Sequence, residues 1–149
     1  MLLLAVVSEV PFDLAFFRTA AYWGHQNVYW TLFFGLAALW CLRRFGERSA
    51  PGMAGLVLCA AAAELLRTDY GALGVVLIAG LYLCRANRTT QCFWGALATC
   101  YELPAPLAML FVLRYNGARG RCPRWEQWGF YLFYPAHLLV LAGLVHALF

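Results

Sequence analysis

A proline and a histidine sit close together in Trp128-Gly129-Phe130-Tyr131-Leu132-Phe133-Tyr134-Pro135-Ala136-His137, which opens an apolar stretch running to Phe149. A plain lipid-facing anchor has no use for either residue. Pro135 has no N–H, so the carbonyl of Tyr131 loses its helical partner. In hydrocarbon that carbonyl needs a neighbouring helix, a hydroxyl or a water. At helical spacing Tyr131, Tyr134, His137 and Leu138 share one side, which makes a polar, kinked face directed into a bundle. Interfacial tyrosines with a packing histidine would give the same residues. An ionisable residue within a span is nevertheless a functional-site hypothesis by default.

A second group with chemical capacity is Ser8-Glu9-Val10-Pro11-Phe12-Asp13, inside the first apolar run. Each carboxylate at that depth costs about 2.5–3.5 kcal/mol on insertion scales, so neither faces lipid. Glu9 and Asp13 are four apart and share a helix face if the helix survives Pro11. Otherwise Pro11 ends a half-helix and leaves residues 12–17 as a re-entrant or interfacial piece.

The elements that must carry these groups follow from composition. Of 149 residues, 64% are hydrophobic and only 12% charged, with mean hydropathy +0.68. A soluble domain is nearer 45–50% apolar and about 25% charged. The chain reads as an all-α, polytopic membrane protein, a single transmembrane domain over residues 1–149. About six spans are expected, with Pro-kinked or broken segments: 2–21, 28–42, 53–66, 72–84, 92–113 and 128–149. The connection 20–27 carries interfacial aromatics and His25-Gln26-Asn27, and Ser49-Ala50-Pro51-Gly52 is turn chemistry. The fifth span holds Glu102, Pro104 and Pro106 at its centre and must bend. Glu64 also lies at membrane depth, within reach of Arg67.

All 11 basic residues are arginine and the net charge is +4, which suits loops against anionic headgroups. No stripe of arginines with interleaved aromatics suggests nucleic acid. The six cysteines show no CxxC spacing, so neither a disulfide framework nor a metal site is indicated. With six alternating spans the arginines fall six on one face and five on the other, so the positive-inside rule does not orient the chain.

P-loop, GxSxG, HExxH and dinucleotide fingerprints are absent. Instead, polar islands punctuate the apolar runs: Ser8 to Ala15, His25-Gln26-Asn27-Val28, Thr68-Asp69-Tyr70-Gly71, Tyr115-Asn116-Gly117-Ala118-Arg119-Gly120, and Phe130 to Leu138. In this order they resemble the pattern of the TraX family, membrane proteins named after the one that N-acetylates F-pilin in conjugative transfer. The resemblance covers nearly the whole chain.

It implies a multi-pass acetyltransferase of the bacterial inner membrane. Acetyl would move from acetyl-CoA to an amine, the pilin N-terminus in the founding case or a cell-surface acceptor elsewhere. It also implies further N-terminal spans with an Asp-His pair. No histidine here follows an aspartate, so the chain is expected to be a fragment, an early-terminated homologue, or one completed by a partner chain that supplies those helices. The alternatives from other classes are a non-catalytic scaffold or partial subunit, and a small transporter with broken helices.

Acetyl transfer needs a base for the amine, donors for the oxyanion, and cations for the phosphates of CoA. His137 is the expected base, with Asp13 or Glu9 to orient or replace it. Gln26 and Asn27, with Asp69, Tyr70 and Tyr134, are candidates for holding substrate or oxyanion. Asn116, Arg119 and Arg121 are candidates for the cofactor's phosphates. Plainer roles stand beside these. Asn27 could cap the second span, Asp69 could pair with Arg67 or cap the fourth, Arg119 and Arg121 could meet headgroups, and His25 and His146 could be interfacial.

Overall fold

A computed structural model describes residues 1–102, 104–118 and 120–148. They form seven helices and no strand: α1 (Leu2–Phe17), α2 (Val28–Phe45), α3 (Ala50–Leu65), α4 (Gly71–Leu83), α5 (Arg88–Ala98), α6 (Ala105–Arg114) and α7 (Arg124–Leu148). Among the described residues one helix, α7, is long and apolar enough to cross a membrane. Helices α3, α4 and α6 are apolar but shorter.

Helices α2, α3 and α4 pack on one another as the core, α1 bridges α2 and α7, and α5 joins α4 to α6. Small residues set the core's close approach: Ala38, Ala60, Ala63 and Ala79 interlock with Leu42, Leu56 and Val75. Gly35 lies against Ile78, and Gly74 against Thr31 and Tyr70, where a Cβ would collide. Helices that meet through Ala and Gly rather than large side chains are the pattern of packing within lipid.

The ends of these helices are chemically marked. Asn27, Ser49 and Asn87 cap α2, α3 and α5 by accepting from Tyr29, Gly52 and Thr90 backbone N–H groups. The Ser49 turn thus already belongs to α3, which starts three residues ahead of the expected span.

Helix α1 runs unbroken through Pro11, so Glu9 and Asp13 do share a helix. The orphan carbonyl of Tyr131 is met by the Tyr29 hydroxyl of α2, which donates to it at 2.9 Å. Pro135 itself is buried.

The fifth expected span differs most. Residues 92–113 do not form one bent helix; the chain stops at Ala98 and restarts at Ala105. Pro104 and Pro106 cannot donate to the preceding turn, and Thr99 folds its hydroxyl onto the Gly95 carbonyl at 2.8 Å. Helices α5 and α6 then run antiparallel. Gly95 faces Met109, and Arg88 at the start of α5 donates to the Tyr115 carbonyl just past the end of α6.

Candidate functional site

Four of the five polar islands meet at one end of the bundle. The connection into α2 and the α3–α4 hairpin are stitched by Gln26 N–H to Arg67 carbonyl (3.0 Å) and a parallel bridge between Gln26 and Thr68. The Thr31 hydroxyl donates to that of Thr68 at 3.0 Å, and Tyr70 N–H donates to Thr31. Asn27, fully buried, spends its whole amide on structure. Its oxygen caps α2, while its NH2 donates to the Ala5 carbonyl (2.8 Å) and to the Glu9 carboxylate.

This stitching sets His25 beside Asp69, Nε2 to Oδ1 at 3.4 Å, although 44 residues separate them. The His25 ring stacks on Phe12 at 6.0 Å and meets Phe17 edge-on. His25, Asp69, Tyr134, His137 and Leu138 line one cavity of about 610 Å³, with Phe12, Phe16, Phe17, Tyr22 and Gly24 completing the wall. Across it, His137 stacks on Phe133 at 5.1 Å and places Nδ1 2.9 Å from the Phe133 carbonyl. A carbonyl only accepts, so Nδ1 carries a proton, and in the neutral ring the lone pair is on Nε2. A second cavity of about 480 Å³ shares Gly24, His25 and Asp69, and adds Glu64, Arg67, Thr68, Tyr70, Gly71 and Leu73.

The remaining candidates fall as follows. The Tyr134 ring sits edge-on to Tyr29 at 5.1 Å, within the first cavity. Burial, then the carboxylates of Glu102 and Asp69, push the Tyr70 phenol upward, so it stays a neutral donor. Asp69 neither pairs with Arg67 nor caps α4. Instead Glu64 accepts the Ala72 N–H at 2.9 Å and ties off the start of that helix. Gln26 is engaged through Nε2 with the Trp23 carbonyl and lines neither cavity.

The carboxylates of α1 do not reach His137. Glu9 accepts from Asn27 and from Trp30 Nε1 (3.0 Å), and Asp13 accepts Tyr22 N–H at 2.7 Å. One oxygen of each, with Ser8 Oγ, is buried without a partner among the described residues.

The basic loop stands apart. Arg119 lies outside the described residues. Asn116 and Arg121 are exposed, and Asn116 accepts Ala118 N–H within its own turn. Tyr115 is held by Arg88, beyond the far end of α4 from Asp69. The 13 residues of α4 put about 20 Å between the two ends.

Sequence reasoning missed His25 and Tyr29. No spacing ties residue 25 to residue 69. A tyrosine opening an aromatic-rich helix carries no mark that its hydroxyl will serve a distant proline.

Among the described residues the fold and cavity define an all-helical protein in which His25, His137 and Asp69 converge at one end of a small-residue bundle. The TraX family model, described as TraX protein, matches residues 1–145, and the chain belongs to that family. No curated protein matches the chain, and no solved structure does.

Proposed function

We propose that the chain is a multi-pass protein of the bacterial inner membrane that transfers acetyl from acetyl-CoA to an amine acceptor, on pilin or another cell-surface molecule. The observation that carries this reading is the shared cavity of His137 and the His25–Asp69 pair. Its volume lies within the usual range of ligand pockets. Membrane residence is supported by apolar side chains turned outward on the helices, such as Leu58 (69% exposed), Phe111 (80%) and Phe130 (74%). In water such a surface would be an aggregation liability.

The division of labour follows from the two rings. His137 Nε2, with its lone pair, takes a proton from the amine as nitrogen attacks the thioester carbon. In its imidazolium form His25 gives Nε2–H to the Asp69 carboxylate and Nδ1–H to the oxyanion. When the intermediate collapses, the carbon–sulfur bond breaks and the CoA thiolate takes a proton from a histidine. A carboxylate in the position of Asp69 orients the ring and stabilises the positive charge of that imidazolium. Tyr134 and Tyr70 offer hydroxyl donors at the two cavities. Asn27, Glu9 and Asp13 hold α1 to α2 in this scheme. Asn116, Arg119 and Arg121 remain candidates for the phosphates, in competition with Arg67 of the adjoining cavity.

Chemical modification of histidines tests the site without requiring turnover. With diethyl pyrocarbonate and the full-length purified chain, acetyl-CoA should protect His25 and His137 while exposed His146 reacts as before. Equal modification of all three with and without acetyl-CoA would overturn the assignment.

A further inference from the structure

The α5–α6 break decides the orientation that the arginine count leaves tied. With a continuous fifth span the α6–α7 connection would share a face with Arg18 and Arg67. Helix α5 has 11 residues and α6 has 10, about 16 and 15 Å long, against a hydrocarbon core of about 30 Å. They run antiparallel, so the pair enters and returns to the face it left. The connection bearing Arg114, Arg119, Arg121 and Arg124 therefore joins Arg43, Arg44, Arg48, Arg85 and Arg88, nine arginines on one face against Arg18 and Arg67 on the other. Short basic loops stay cytoplasmic.

We infer that α5 and α6 form a re-entrant hairpin, that the arginine-rich face is cytoplasmic, and that the His25–Asp69–His137 cavity opens to the extracytoplasmic face. The cavity walls agree, because Tyr22, Gly24, His25 and Asp69 belong to the two connections on the arginine-poor side. This inference rests on the proposed membrane residence and narrows the acceptor to an amine presented outside the cytoplasm. The donor-phosphate candidates Asn116, Arg119 and Arg121 stay on the opposite face.

Single-cysteine labelling of the full chain in bacterial spheroplasts tests it. One version keeps only native Cys122, in the α6–α7 connection, and the other carries Thr19→Cys as its sole cysteine. A membrane-impermeant maleimide should label the Thr19→Cys version in intact spheroplasts. The Cys122 version should stay unlabelled until the membrane is permeabilised. Both sites labelling from one side would restore a crossing at residues 92–113 and overturn the hairpin. Opposite sides with Cys122 outside would overturn the orientation. Carbonate extraction separates these outcomes from failure of the underlying reading. A chain released from the membrane refutes residence itself, whereas for a retained chain the labelling pattern alone decides the topology.

Discussion

Asn27 shows how one polar side chain can hold an element in place. Its amide caps α2 and donates to both Ala5 and Glu9, so it closes the α1–α2 contact with every atom it has. Asn27→Ala should destabilise the protein by roughly 2–4 kcal/mol, from a lost cap and two further lost hydrogen bonds. Asn27→Asp keeps the cap but sets a second carboxylate against Glu9 and should also lower the thermal midpoint in detergent. The cap was legible in the sequence, because asparagine ahead of an apolar run is a recognised start signal. The His25–Asp69 pair was not legible. It depends on the way two connections 44 residues apart are stitched, and neither residue's neighbours record that.

Among the elements, α7 depends on α2 for a carbonyl it cannot satisfy itself. Tyr29→Phe removes the hydroxyl that serves Tyr131 and should cost about 1–3 kcal/mol. In a Pro135→Ala background the restored N–H takes that carbonyl, and the same Tyr29→Phe change should cost little. Unfolding of the four proteins measures this non-additivity, and equal costs in both backgrounds would refute it. The need was readable from Pro135 alone, but which hydroxyl would answer it was not. The α2–α3 and α4–α5 connections carry a weaker tie, in which Arg85 donates to Glu47 at 2.5 Å and stacks on Tyr82 at 4.0 Å. The hydrogen bond from Arg85 holds the Glu47 carboxyl below its ordinary value. Its contribution is therefore present above the unfolded pKa and is lost as pH falls through the lowered folded one. Arg85→Gln should be less stable than wild type at neutral pH, and the gap should close on acidification. Both side chains are solvent-accessible, so the effect is small.

For the molecule as a whole, an all-helical chain of apolar segments follows from composition and from the turn residues between them. Segments 28–42, 53–66 and 72–84 reappear as α2, α3 and α4 with shifts of a few residues at their ends. Residues 92–113 did not, because hydropathy averages over a window and cannot tell a kink at Pro104 and Pro106 from a full reversal. The packing of Met109 over Gly95 makes that choice, and it is a tertiary contact. In the proposed topology the consequence reaches the whole molecule, since one reversal would move the α6–α7 connection across the membrane and turn an even charge count into a lopsided one.

The central claim is that the histidine cavity transfers acetyl to an amine. It is tested most directly by incubating labelled acetyl-CoA and a primary amine with the purified chain in vesicles, wild type beside His137→Ala. Removing a polar group from a span does not hinder insertion, so the variant should reach the membrane in equal amount. Wild type should move label onto the amine, and His137→Ala should be slower by about 100-fold or more, the usual contribution of a general base. Full activity in the variant, or no transfer by wild type, would contradict the account.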